Sequence, residues 1–168
     1  MTHLMRALVF FSVLITGVHH ATAYAQSYPA RTVRVIVTYA PGGGSDILGR
    51  MIGAKVSEEL GQQFVIDNRP GGNATIGTQL IARAAPDGYT IGVIDTALTM
   101  NPGLFEKLPY DASKDFAPIT LIASSPLILL THPSVPVKTV KELIALAKSR
   151  PGQLTFGSAG GGTALHLA

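Results

Sequence analysis

Residues 33–46 read VRVIVTYAPGGGSD and carry the clearest indication of the fold. The run 33–38 is rich in β-branched residues, as strands are, and from Ile47 onward apolar residues recur at helical spacing. The order is therefore strand, glycine loop, helix. Glycine lets a ligand approach main-chain N–H groups closely, and the first turn of a helix offers unpaired donors and a partial positive charge. The loop is a candidate anion site made of Gly42, Gly43, Gly44, Ser45 and Asp46.

The same alternation continues to residue 95. A helix is predicted over about 46–60, with Ser45 or Asp46 as its cap, followed by a strand over 64–68. A second helix over about 75–85 and a third strand over 89–95 follow, and four residues of that helix are predicted to face inward: Ile76, Leu80, Ile81 and Ala84. This pattern predicts an α/β fold with a doubly wound parallel sheet, in which the loops after the strands meet at one edge. The later loops add Asn73, Thr75 and Thr96 as candidate ligand contacts.

The second half of the chain does not continue the regular alternation of strands and helices. Residues 101–118 are rich in proline and polar residues, and two strand-like runs follow at 119–124 and 127–131. Thr139 and Glu142 form a capping box that predicts a helix over about 140–149. A second glycine loop then lies between a strand-like run at 154–156 and a helix-like start at Ala164. Its residues could grip one anion from the side opposite the first loop: Ser158, Ala159, Gly160, Gly161, Gly162 and Thr163.

Composition narrows the functional classes. The chain has 168 residues, of which 46% are hydrophobic and 14% charged, so there is ample material for a core. The net charge is only +3, and the basic cluster of residues 138–150 has no interleaved aromatic residues, so nucleic-acid binding finds no support. Without cysteine, thiol catalysis, disulfides and cysteine metal sites are excluded. No metal-ligand spacing occurs, and no cofactor is predicted.

Residues 1–25 have the pattern of a secretory signal peptide: Arg6, an apolar run over 7–18, and small residues ending at Ala25. The apolar run is shorter than the roughly 20 residues that a bilayer span needs, although a retained anchor is the alternative. We expect a mature chain that starts at Gln26 and is soluble and exported.

Familiar nucleotide and hydrolase motifs are missing. No Lys-Ser or Lys-Thr pair follows the first glycines, and the third glycine of a dinucleotide fingerprint is absent. Ser158 lacks the spacing of a nucleophile elbow. His166 could serve as its base, but no paired acid is visible nearby, and a histidine that packs or caps the helix is the simpler interpretation.

The combination of blocks resembles the Bug family, the periplasmic substrate-binding receptors of tripartite tricarboxylate transporters. The blocks span the mature chain in the family's order: APGGGSD at 40–46, NRPG at 68–71, APDGYT at 85–90, LPYD at 108–111, KDFAP at 114–118, HPSVP at 132–136, FGSAGGGT at 156–163 and HLA at 166–168. The middle loop, GNATIG at 72–77, departs from the family's pattern, so contacts from Asn73 and Thr75 are less firmly implied.

The resemblance implies a two-lobed periplasmic binding protein that closes on a small carboxylate, such as a di- or tricarboxylate, an amino acid or an aromatic acid. The ligand would be held by the two glycine loops, with His166 beside the second, and delivered by a monomeric receptor to a membrane permease. The implied divisions are a first lobe over 26–100, a crossover region over 101–125 and the start of a second lobe over 126–168.

Family members are nearly twice as long as this chain, so we expect a truncated product that is unstable or binds weakly. Two other interpretations stay open. One is a secreted α/β serine hydrolase that uses Ser158 and His166, and the other is an inactive truncated gene product.

Overall fold

The computed structural model describes residues 28–158 and 160–167. Strands and helices alternate along the first part in the predicted order. The elements are β1 (Val33–Val37), α1 (Gly44–Leu60), β2 (Phe64–Asn68), α2 (Thr75–Ala82), β3 (Thr90–Val93), α3 (Ala97–Leu104), α4 (Val140–Ser149) and α5 (Ala164–Leu167). The predicted signal peptide, residues 1–25, lies outside the described residues.

The three strands form one parallel sheet in the order β2-β1-β3. In this register Val35 of the central strand lies opposite Ile66 on one side and Ile91 on the other. Val33, Ile36 and Val37 are completely buried, as expected for a strand that is covered on both faces. The predicted doubly wound parallel sheet is confirmed.

The helices α1 and α2 lie on opposite faces of this sheet. A Cβ atom added to Gly49 of α1 would lie 3.2 Å from Val37 Cγ2, whereas one added to Gly77 of α2 would lie 3.0 Å from Thr38 Cγ2. Because successive residues of a strand point to opposite faces, contacts to Val37 and Thr38 place the two helices on different sides. The loops that follow the strands are therefore collected at one edge.

The buried faces of the helices differ from those that apolar spacing predicts. The buried residues of α1 are Asp46, Gly49 and Gly53, while Ile47 and Met51 are more than half exposed. On α2, Gly77 and Thr78 are buried, and the prediction that Ile76 and Leu80 face inward is wrong. The physical reason is that both helices approach the sheet through glycines, whose missing side chains let the backbones pack closely.

The second half forms less regular structure than predicted. The strand-like runs 119–124, 127–131 and 154–156 contain no strand, and most of their large apolar side chains are exposed. A strand takes its backbone hydrogen bonds from a neighbour, and the one sheet within the described residues consists of β1, β2 and β3. The region after residue 100, predicted to be irregular, begins with the end of α3, which includes Pro102.

The helix α4 has the predicted limits, and its capping hydroxyl is in place, because Thr139 Oγ1 accepts a hydrogen bond from Glu142 N at 3.2 Å. The division into lobes and a crossover region stays a prediction. Across residues 28–158 and 160–167, no helix combines the length and the apolar character that a membrane span requires.

Candidate functional site

The first glycine loop leads directly from β1 into α1. The helix begins at Gly44, two residues earlier than predicted, and its N-cap is Gly43, which has no side chain to bond the first turn. The expected capping by Ser45 or Asp46 is therefore wrong in detail. Gly42 has φ +87°, a conformation that glycine adopts readily and other residues rarely do. The loop needs a glycine there for its turn.

The Asp46 carboxylate holds this loop from beneath. Its Oδ2 accepts from Gly42 N at 2.9 Å, and its Oδ1 accepts from Asn68 Nδ2 at 2.9 Å and lies 2.9 Å from the Arg50 guanidinium. The side chain is only 4% exposed. The hydrogen bonds from Arg50, Gly42 and Asn68 lower the pKa of Asp46 to about 2.

Asn68, at the end of β2, ties the neighbouring strand to the same loop. Its Nδ2 also donates to Tyr39 O at 3.0 Å, and its Oδ1 accepts from Arg50 at 3.0 Å. Sequence reasoning missed Arg50 and Asn68 as supports of the site. The four-residue spacing of Asp46 and Arg50 on one helix was the available signal for an ion pair.

The main chain of the first loop is open to approach. Cβ atoms added to Gly42 or Gly44 would meet no atom within 4 Å, and one added to Gly43 would meet only Ala40 O at 3.6 Å. The first-turn N–H groups of α1 have no helical partner of their own. The loop can therefore present backbone donors, with the positive end of a 17-residue helix behind them, to a negatively charged group.

The loop after β3 is joined to the loop after β1. Tyr39 Oη donates to Asp95 Oδ1 at 3.0 Å, and the same oxygen accepts from Ala97 N at the start of α3. Burial, together with the Asp95 carboxylate, raises the pKa of the Tyr39 hydroxyl, which keeps the phenol a donor. The candidate Thr96 is exposed, and its carbonyl oxygen accepts from Met100 N.

The middle loop brings two candidates to this edge. Thr75 Oγ1 donates to Gly72 O at 2.6 Å, so its hydroxyl closes the turn that precedes α2. Asn73 Nδ2 donates to Asn101 Oδ1 at 2.7 Å and to Gly162 O at 3.0 Å. The second glycine loop therefore contacts the middle loop directly, although the two are 89 residues apart in sequence.

The second glycine loop is held by its own hydroxyl groups. Thr163 is 6% exposed, and its Oγ1 donates to Gly160 O at 2.8 Å, while Ser158 Oγ accepts from Gly160 N. Cβ atoms added to Gly160 or Gly161 would meet nothing within 4 Å. Ala159, the remaining candidate of this loop, lies outside the described residues.

Ser158 and His166 are close enough to interact. Ser158 Oγ lies 3.1 Å from His166 Nδ1, and the imidazole ring leans on Phe156 with ring centroids 5.6 Å apart. Among the described residues, the hydrogen bonds and ion pairs include none between His166 and a carboxylate, so the acid of a catalytic triad has no counterpart. In the same part of the chain, no cluster of three potential metal ligands occurs.

The chain is an α/β protein with a doubly wound parallel sheet, and its glycine loops lie at the carboxyl edge, where sheets of this class bind their ligands. Residues 48–168 match the family described as the tripartite tricarboxylate transporter family receptor, TctC, and the chain belongs to that family.

Similar proteins include one from Bordetella pertussis, the protein BugT, which is 33% identical over 99% of this chain and 51% of its own length. Two solved structures from Rhodopseudomonas palustris are also similar. Rpa4515 with adipate is 36% identical, with a TM-score of 0.74 over 81% of this chain and 46% of that one. MatC with bound malate is 35% identical, with a TM-score of 0.63 over 73% and 42%. The chain spans about half the length of these relatives.

Proposed function

We propose that this chain belongs to a periplasmic solute-binding receptor that captures a small carboxylate between two glycine loops and delivers it to a membrane permease. The observation that carries the proposal is the first loop, where Asp46 is engaged by Gly42 N, Asn68 and Arg50, and a side chain added at Gly42 or Gly44 would meet open space. Membership of the TctC family supports the receptor class.

The two loops divide the proposed work. In the first, the backbone N–H groups of residues 43–46 would bind one carboxylate, while the N–H of Gly42 is engaged by Asp46. The Asp46 side chain would act through the loop because its own charge repels an anion. In the second, the residues 158–163 would supply further N–H and hydroxyl donors, with Thr75, Thr96 and His166 at the margin. The structures of Rpa4515 with adipate and MatC with malate support a dicarboxylate as the ligand class. No catalytic step is part of this proposal.

Titration with malate and adipate tests the proposal. We expect saturable binding, read by calorimetry and by a rise in the midpoint of thermal unfolding, whereas 1,6-hexanediol, which lacks the carboxylates of adipate, gives neither. Because this chain is about half as long as its relatives, we expect the binding to be weak. The proposal fails if both acids leave the unfolding midpoint and the calorimetric baseline unchanged at millimolar concentrations.

The variant Gly44→Ala locates the site. A methyl group at Gly44 meets nothing in the free protein, so folding should be unaffected, but it stands where a ligand would approach the main chain. We expect affinity to fall about tenfold, which corresponds to about 1.4 kcal/mol. The matched control is Gly103→Ala on α3, whose added methyl also meets nothing within 4 Å and lies outside the proposed loops.

The contact between Ser158 and His166 keeps a serine hydrolase as the second candidate. The two functions separate cleanly, because a hydrolase turns over ester substrates and loses that activity in Ser158→Ala. Ligand-induced stabilisation without turnover favours the receptor.

A further inference from the structure

Three segments that are distant in sequence meet at the side chain of Asn73. Its amide nitrogen donates to Asn101 Oδ1 at 2.7 Å and to Gly162 O at 3.0 Å. In the opposite direction, Asn101 Nδ2 donates a hydrogen bond to Asn73 O at 2.9 Å. The loop before α2, the helix α3 and the second glycine loop are therefore joined by two facing amides.

Of the two amides, Asn101 is the one held in the protein interior. Asn101 is completely buried, and its Nδ2 also contacts Tyr110 Oη at 3.2 Å. Tyr110 is 7% exposed, and its ring packs edge-on against Phe116 at a centroid distance of 5.7 Å. A buried amide whose donors are all engaged has one favoured orientation, because turning it would bring like groups together.

The backbone at Asn73 is held in an uncommon conformation. Asn73 has φ +51° and the next residue, Ala74, has φ +67°. Asparagine tolerates the left-handed region better than most residues, but two such residues in a row cost energy that the surrounding contacts must offset. The turn aims the Asn73 amide at the second glycine loop.

Gly162 fits closely against this amide. Its φ is +82°, and a Cβ atom added there would lie 3.1 Å from Asn73 Nδ2 and 3.4 Å from Leu104 Cδ1. The neighbouring Gly161 has open space at the same position. At Gly162 the second loop therefore lies against Asn73 and Leu104, whereas a side chain added at Gly160 or Gly161 would meet open space.

We propose that Asn73 and Asn101 form a positioning clasp, which holds the second glycine loop at the carboxyl edge of the sheet through the carbonyl of Gly162. In this role Asn73 acts on the ligand site through the loop and makes no contact with the ligand. The consequence for binding rests on the proposed function above, whereas the clasp itself is a property of the free protein.

The test measures the position of the loop without any ligand. The chain has no cysteine, so Lys55→Cys on α1 and Leu165→Cys on α5, both at exposed positions, can carry a single pair of spin labels. We expect one narrow distance distribution for the parent. In Asn73→Gly the left-handed backbone remains accessible while the amide is lost, so the distribution should broaden or shift and the far-ultraviolet circular dichroism should stay the same.

Two further variants decide between a clasp and general destabilisation. Asn73→Asp keeps the shape of the side chain but replaces the donor by a carboxylate oxygen that faces Asn101 Oδ1 and Gly162 O. It should therefore broaden the distribution at least as much as Asn73→Gly does. Gly162→Ala breaks the contact from the other side, so the double variant with Asn73→Gly should be no broader than either single variant. Gln153→Glu on the exposed surface controls for the added charge.

An unchanged distance distribution in both Asn73 variants overturns the clasp. Malate titration of the same proteins is the second arm. Broadened distributions in the Asn73 variants together with weakened malate binding support both proposals. Broadened distributions in the variants of a parent that itself binds no carboxylate support the clasp and overturn the proposed function.

Discussion

The side chain of Asp46 organises the first glycine loop through contacts within the protein. It carries a negative charge next to a proposed carboxylate site, which would be unfavourable if that charge were free. Its oxygens are instead taken up by Gly42 N, Asn68 Nδ2 and the Arg50 guanidinium. The negative charge of Asp46 is compensated by these three partners. The N-terminus of α1 therefore keeps its partial positive charge, which attracts an anion.

The pH dependence of folding should report this arrangement. The pKa of Asp46 is lowered to about 2 in the folded chain, so its contribution is present above the ordinary value of 3.8 and is lost as the pH falls from about 4 towards 2. We expect Asp46→Asn to be less stable at pH 7 and to lose less stability between pH 4 and 2. Urea unfolding at several pH values measures both effects.

The control for this prediction is Glu106→Gln, which removes an exposed carboxylate elsewhere, so that an effect shared by both variants is not specific to Asp46. If Asp46→Asn and the parent lose stability equally over this interval, the carboxylate does not carry the charge-assisted contacts described here.

At the scale of elements, the sequence predicts where helices and strands lie better than it predicts which of their faces are buried. The strands of the parallel sheet are predicted from runs of β-branched residues bounded by glycine- or proline-rich turns. The limits of α4 are predicted from its capping box. The inner faces of α1 and α2 could not be found, because Gly49, Gly53 and Gly77 give no hydrophobic signal and their closeness to the sheet emerges only in three dimensions.

The candidate site shows the same limit. Glycine triplets after strands marked both loops, but the supports of the first loop, Arg50 and Asn68, come from different elements. Nothing in the local sequence indicates that Asn73 meets Gly162 across 89 positions. Contacts of that kind are decided by how the chain folds back on itself.

The packing of α2 through Gly77 gives a prediction with an internal control. A Cβ atom there would lie 2.7 Å from the backbone oxygen of Arg69, so Gly77→Ala forces a shift and should cost about 1–3 kcal/mol of unfolding free energy. Gly103→Ala on α3 meets no atom and should raise the stability by up to about 1 kcal/mol through helix propensity. Urea titration of the two variants should move the midpoint in opposite directions.

At the scale of the whole molecule, apolar side chains are buried in the sheet but exposed in the segment 119–130. The sheet buries Val33, Ile36 and Val37 completely. In residues 119–130, by contrast, Ile119, Leu121 and Leu130 are each about four-fifths exposed. So many exposed apolar side chains along one segment are unusual in a stable soluble monomer and mark a site of interaction or aggregation. The resemblance implies a monomer, and association through these exposed side chains would contradict that expectation.

We expect the 168-residue chain to bind the hydrophobic dye ANS and to associate as its concentration rises. Leu121→Lys together with Leu130→Lys should lower the dye fluorescence several-fold and shift sedimentation towards the monomer, because both changes replace exposed apolar surface with charge. Ser125→Lys adds a charge to the same segment without removing apolar surface and should have a much smaller effect. If the parent neither binds the dye nor associates at tens of micromolar, the apolar side chains of this segment are covered in solution and the prediction is wrong.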